Sequence, residues 1–100
     1  MRLLRGGHVY IMSNKRHTVL YVGVSSNLSK RMEQHVSHYF KNSFTAKYNC
    51  EELVYLEHYP TIMEAIAREK QVKKYSRKKK VMLINSLNPD WKNLLDGLID

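Results

Sequence analysis

His8-Val9-Tyr10-Ile11-Met12-Ser13 and Thr18-Val19-Leu20-Tyr21-Val22-Gly23-Val24 are two runs of strand-forming residues, separated by the polar Asn14-Lys15-Arg16-His17. β-Branched and aromatic side chains suit a pleated, half-buried surface. A four-residue polar connection between two such runs predicts a β-hairpin. That loop length pairs Ser13 with Thr18 and, counting back, Tyr10 with Tyr21. Opposed residues share a sheet face about 5 Å apart at Cβ, so the two phenols are expected side by side. A loop one residue longer or shorter would break this register.

Beyond the hairpin, Ser26 or Asn27 can cap a helix running to about Ser37. Leu28, Met32 and Val36 form its apolar line. Arg31 and His35, four residues apart, stack on a neighbouring face. Residues 38–50 are aromatic and polar without a clear period. Leu53-Val54-Tyr55-Leu56 reads as a third strand ending near Tyr59. Thr61-Ile62-Met63-Glu64 is a capping-box pattern. The helix it opens carries Ile62, Ala65, Ile66 and Val72 on one stripe, with Glu69 inside that stripe. Ser76 to Leu87 predicts a further helix whose buried side is Val81, Met82, Leu83, Ile84 and Leu87. Asn88-Pro89-Asp90-Trp91 is a turn, followed by a short final helix through Leu95.

The 100 residues are expected to form a single domain. Seventeen Lys and Arg against nine Asp and Glu give a net charge of +8. Such a surface concentrates polyanions, nucleic acid first and anionic membrane second. Eight of the seventeen basic residues fall between Arg68 and Lys80: Arg68, Lys70, Lys73, Lys74, Arg77, Lys78, Lys79 and Lys80. Apolar residues flank them at helical spacing, so this is a basic helical segment, suited to phosphate contacts that give affinity without sequence reading. A solvated helix face is the plainer alternative. A single cysteine, Cys50, excludes an intramolecular disulfide. No run approaches the roughly 20 apolar residues of a membrane span. Met1 to Gly7 has no apolar signal region. A cytoplasmic enzyme or binding module fits these features.

Glu69 is the chemical anomaly. A carboxylate on an apolar helix face is costly unless it is paired or holds a metal. Arg68, Lys73 or a distant base could pair with it. Arg31 and His35 are either a solvated pair or a phosphate clamp, in which Arg supplies a planar fork and His a proton-transfer group. Tyr10 and Tyr21 are either ordinary strand residues or phenols that orient a water. A phenol acts as a base only if its pKa falls well below the usual value of about 10. His35-Val36-Ser37-His38 with Cys50 matches no closed four-ligand zinc framework. No glycine-rich phosphate loop is present, and no small-molecule cofactor is expected.

Val9-Tyr10-Ile11, then Tyr21-Val22-Gly23, then Arg31 and His35 on the next helix and Glu69 on a later one, together resemble the GIY-YIG nuclease superfamily. Leu20 to Val24, Asn27-Leu28 with Arg31, Ala67-Arg68-Glu69-Lys70-Gln71 with Lys73, and Asn88-Pro89-Asp90-Trp91 resemble its small standalone bacterial members of the UPF0213 type. The resemblance covers about residues 7–95. His8 stands where the first signature has its leading glycine. The superfamily includes homing and restriction endonucleases and incision subunits of DNA repair.

The resemblance implies an α+β fold, a three-stranded antiparallel central sheet flanked by helices. It implies a hydrolase cutting phosphodiester bonds in DNA with one divalent ion, Mg²⁺ or Mn²⁺. Glu69 would be the metal ligand and Arg31 would stabilise charge on the attacked phosphate. Tyr10 and Tyr21 would position the water, and one of them or His35 would be its base. Gly23 would let the backbone lie close to the site, and Asn85 or Asn88 would support it. A protein partner could supply specificity, since no second reading module is visible. The rival reading is a nucleic-acid-binding module of the same fold with little or no activity.

Overall fold

The computed structural model describes residues 5–97. Strand β1 (Gly7–Ser13) and β2 (Leu20–Ser25) are followed by helix α1 (Leu28–Val36), the short α2 (Phe44–Lys47) and β3 (Glu52–Tyr59). Then come α3 (Ile62–Lys73), α4 (Arg77–Leu87) and a 3₁₀ turn at Leu94–Gly97. The three strands form one antiparallel sheet in the order β2-β1-β3. This is the expected α+β architecture, with four helices around a three-stranded sheet.

The hairpin register is not the expected one. Ser13 pairs with Leu20, Met12 with Tyr21 and Tyr10 with Gly23, so the loop runs over residues 14–19. Asn14 causes the extension. Its Oδ1 accepts from the backbone N–H groups of Thr18 (2.9 Å) and Val19 (3.1 Å), and its Nδ2 donates to Thr18 Oγ1 at 2.7 Å. Thr18 and Val19 therefore satisfy their donors inside the loop instead of joining the ladder, an Asx-type competition with sheet pairing. His17 takes a left-handed conformation, φ 56°, to close it. The slip is two residues, so no side chain changes face. Tyr10 and Tyr21 remain on one face, as diagonal neighbours.

Strand β1 is central and buried along its length. Val9 and Ile11 point into a core with Val22, Val54, Tyr55, Ala65, Val72 and Ile84, beneath α3 and α4. Tyr10 and Met12 point to the other side, among Leu28, Met32, Cys50 and Leu53. Pairing of β1 with β3 shifts between Ile11, opposite Tyr55, and Met12, opposite Leu53. Val54 is the extra residue of this bulge, and a bulged residue falls out of the ladder. Its carbonyl accepts from Asn88 Nδ2 at 3.0 Å. Asn88 also donates to Lys92 O (2.8 Å) and accepts from Lys92 N–H (3.0 Å), so it pins the C-terminal segment to the sheet.

Helix starts follow their caps. Asn27, Ser43, Thr61 and Ser76 each accept from a backbone N–H three residues on. The predicted apolar side of α4 needs correction. Of Val81, Met82, Leu83, Ile84 and Leu87, only Ile84 is fully buried, and Met82 and Leu87 are exposed. Four consecutive residues turn through most of a helical circumference, so one stripe cannot bury them all. Val36, at the end of α1, is also exposed.

Replacing Asn88 with Ala should lower the unfolding free energy by about 2 kcal/mol, since it leaves the Val54 carbonyl and Lys92 groups without partners. Urea denaturation would read this as a lower midpoint with an unchanged slope.

Candidate active site

β1, β2, α1 and α3 bring the predicted residues toward one another. Tyr10, from β1, is 1% exposed. Its ring lies across Gly23 on β2, where an added Cβ would collide with the Tyr10 Cζ and Oη atoms. Glycine is required there to admit the phenol itself, which refines the expectation that it admits a close backbone. Tyr10 Oη is hydrogen-bonded to His35 Nε2 at 2.9 Å. The Tyr21 ring is 6.4 Å from that of Tyr10 and 5.5 Å from that of His35.

His35 is not on a solvated face beside Arg31. It is turned inward and buried, whereas Arg31 is half-buried. The second ring nitrogen of His35, Nδ1, lies 2.8 Å from Thr45 Oγ1. Burial, reinforced by the charge of Arg31, lowers the His35 pKa from 6.5 to about 4. The imidazole is therefore neutral at ordinary pH. Burial raises the Tyr10 pKa above its usual value. Tyr21 and Glu69 add to the rise and Arg31 opposes it. The phenol keeps its proton.

Glu69 projects from the buried stripe of α3, its side chain 11% exposed. Of the partners open to it, the fold selects Lys73, whose Nζ stands 3.0 Å from Glu69 Oε2. A single carboxylate that already attracts a cation suits a hard divalent ion that keeps most of its waters. Among the described residues no three His, Cys, Asp or Glu side chains gather into a metal-binding group. His38 approaches Glu51 and Cys50 is buried in the core, which disposes of the His35-His38-Cys50 grouping.

The basic segment divides by partner. Arg68 is turned away from Glu69 and gives Glu57 a bidentate pair, Nε to Oε1 at 3.0 Å and Nη2 to Oε2 at 3.1 Å. Burial works against the Glu57 charge, but hydrogen bonds from Arg68, Tyr55 and Tyr59 outweigh it and hold the carboxyl below its usual pKa. Arg77 donates to the carbonyls of His17 and Thr18, tying α4 to the hairpin loop. Lys79 lies over the Tyr75 ring at 4.2 Å. Lys70, Lys74 and Lys78 are exposed, and Lys80 is half-buried. Arg68 is thus a structural residue, and the expected eight-residue basic face is thinner than the sequence suggests. Asn85 accepts from Trp91 Nε1 at 2.7 Å, and Asn88 is spent on the bulge. Neither hydrogen-bonds to Tyr10, Tyr21, Arg31, His35 or Glu69.

Residues 6–84 match the model of the GIY-YIG catalytic domain. The chain belongs to the GIY-YIG family. A UPF0213 protein of Syntrophus aciditrophicus is 35% identical over 83 residues, covering 83% of this chain and 93% of that protein. One from Clostridium perfringens is 37% identical over 83 residues, covering 79% and 83%. The solution NMR structure of a UPF0213 protein from Bacillus halodurans matches with a TM-score of 0.56 at 28% identity, covering 87% of this chain and 90% of that one. The GIY-YIG domain is a nuclease domain, and its substrate class is nucleic acid. No helix among the described residues is long and apolar enough to cross a membrane.

Two residues that contact this cluster were not singled out in the sequence. Thr45, 2% exposed, sits on α2, and Phe44 stacks on Tyr21 with ring centroids 5.9 Å apart. The available signal was Ser43 as a cap. A helix of four residues is too short to display a period.

His35 makes a pH prediction. Its folded pKa is depressed, so the folded state binds fewer protons than the unfolded state between pH 6.5 and about 4. The stability it contributes is complete above 6.5 and is lost as pH falls through that window. Urea titrations of wild type and His35→Gln should show a stability difference that shrinks from pH 7 to pH 4.5. A constant difference would contradict the neutral, buried imidazole.

Proposed function

We propose that this chain is an endonuclease that hydrolyses phosphodiester bonds in DNA, using one divalent ion, Mg²⁺ or Mn²⁺, held by Glu69. The observation that carries the reading is the buried 2.9 Å Tyr10–His35 hydrogen bond, with the Tyr21 ring beside both groups. A domain that only binds nucleic acid has no need of that buried polar grouping. When bound, the ion supplies Lewis-acid stabilisation of the phosphate and the leaving oxygen.

The chain's own residues do the rest. Arg31 neutralises phosphoryl oxygens as charge develops. Tyr21, half-exposed beside Tyr10, helps orient the attacking water. With its pKa raised, Tyr10 is no base on its own; its Oη can receive the water's proton only as its own proton passes to His35 Nε2. The imidazole, neutral at ordinary pH, has the lone pair this transfer requires. Lys70, Lys74 and Lys78 attract the backbone of the substrate from the exposed side of α3 and α4.

End-labelled linear, flap and branched DNA, incubated with Mg²⁺, Mn²⁺ or EDTA, tests the reading. Wild type should cut in a manner abolished by EDTA, and Glu69→Ala should lose at least a hundredfold in rate, within the reach of metal and electrostatic catalysis. Salt-sensitive binding by both proteins with no cleavage of any substrate would instead identify a binding module.

Replacing Lys70, Lys74 and Lys78 together with Gln should flatten the salt dependence of duplex binding, by about 0.9 in the log–log slope for each phosphate contact removed. An Arg68→Gln protein should keep the wild-type slope and lose stability instead. A slope unmoved by the triple change would remove that face from the interface.

A further inference from the structure

Helix α2 spans four residues, Phe44–Lys47, far below the length at which a helix is stable in isolation. It is held by Ser43, whose Oγ accepts from Ala46 N–H at 3.3 Å, and by Cys50 N–H, which donates to Thr45 O at 2.8 Å. Its one buried side chain is Thr45. The Thr45 hydroxyl lies between two groups, His35 Nδ1 at 2.8 Å and Ser43 Oγ at 3.3 Å.

The direction of hydrogen bonding along this chain can be deduced by counting protons. A neutral imidazole has one N–H and one lone pair. Suppose first that Nε2 carries the proton. It then donates to Tyr10 Oη, and the Tyr10 proton has no other acceptor among the described residues. In a phenol 1% exposed that leaves a buried donor unpaired, which costs about 1–3 kcal/mol. Suppose instead that Nδ1 carries the proton. Tyr10 O–H donates to Nε2, Nδ1–H donates to Thr45 Oγ1, and Thr45 O–H donates to Ser43 Oγ. Every buried donor of the series Tyr10, His35 and Thr45 is then satisfied, and the half-buried Ser43 can turn its own proton toward solvent.

We infer that Thr45 is a positioning residue: it holds His35 as the Nδ1–H tautomer, so that the Nε2 lone pair faces Tyr10. The inference rests on the proposed nuclease reading only for its catalytic consequence. With the other tautomer, Nε2 would present a proton to Tyr10 and could not receive one. The same logic, in which the bond at one ring nitrogen sets the state of the other, governs catalytic histidines generally.

The test is long-range ¹H–¹⁵N spectroscopy of the full chain labelled at histidine, at pH 7, with cleavage assays on the same samples. Wild type should show His35 with a protonated Nδ1 and an unprotonated Nε2. Thr45→Val removes the hydroxyl at nearly constant shape and should move His35 toward the Nε2–H tautomer, lowering kcat about tenfold or more with little change in KM. Thr45→Ser, which restores the hydroxyl, should recover both the wild-type ring signature and most of kcat. The backbone spectrum reports directly whether each variant is folded. An Nε2–H tautomer in wild type, or an unchanged Nδ1–H tautomer in a folded Thr45→Val protein, would overturn the inference. The predicted ring signatures in a wild type that cuts no DNA would overturn the nuclease reading and uphold the role of Thr45 toward His35.

Discussion

Strand β1 is hydrogen-bonded along both edges and buried on both faces, and the rest of the molecule is arranged around it. Its alternation sends Val9 and Ile11 into the core under α3 and α4 and sends Tyr10 and Met12 to the side of α1. A phenol in the middle of such a strand has an apolar ring to bury and a hydroxyl that needs a partner. Gly23 on the neighbouring strand gives the ring room, and His35 from α1 meets the hydroxyl. The histidine is buried in turn, so its second nitrogen also needs a partner, and Thr45 from α2 provides one. Each buried polar group recruits the next, and the series links β1, β2, α1 and the α1–β3 connection into one site.

The charges follow a second logic. A net charge of +8 attracts polyanions, but it is no map of the binding surface. Arg68 is held by Glu57 inside a cluster that includes Tyr55, Tyr59 and Tyr75. Arg77 is held by loop carbonyls, and Lys73 by Glu69. These cations stabilise the fold or balance a buried carboxylate. The exposed lysines left over are fewer than the basic segment contains, and they are the ones available to a phosphate backbone.

Much of the architecture was legible in local pattern. The strands, the capped helices and the placement of Glu69 within an apolar stripe all come from period and capping chemistry, which depend on residues close in sequence. The hairpin register was not legible, because the choice between a four-residue loop and the observed one depends on whether Asn14 bonds to Thr18 and Val19 or leaves them to the ladder. The two outcomes leave the same hydrophobic pattern on the same faces. The buried side of α4 was not legible for a related reason: its sequence offers more apolar residues than one contact stripe can cover.

The sequence by itself determined the alternation of the strands, the extents of α1, α3 and α4, the excess of positive charge and the ordered set Tyr10, Tyr21, Arg31, His35 and Glu69 that carries the resemblance to the GIY-YIG family. Only the tertiary structure decided how those residues are used. It turned His35 inward onto Tyr10, gave Lys73 and not Arg68 to Glu69, moved Asn88 to the β3 bulge and brought in Thr45 from a segment with no period. The physical reason is common to all four. A periodic pattern records which side of an element is apolar, whereas the partner of a buried polar group is whichever complementary atom the packing of distant elements leaves within about 3 Å.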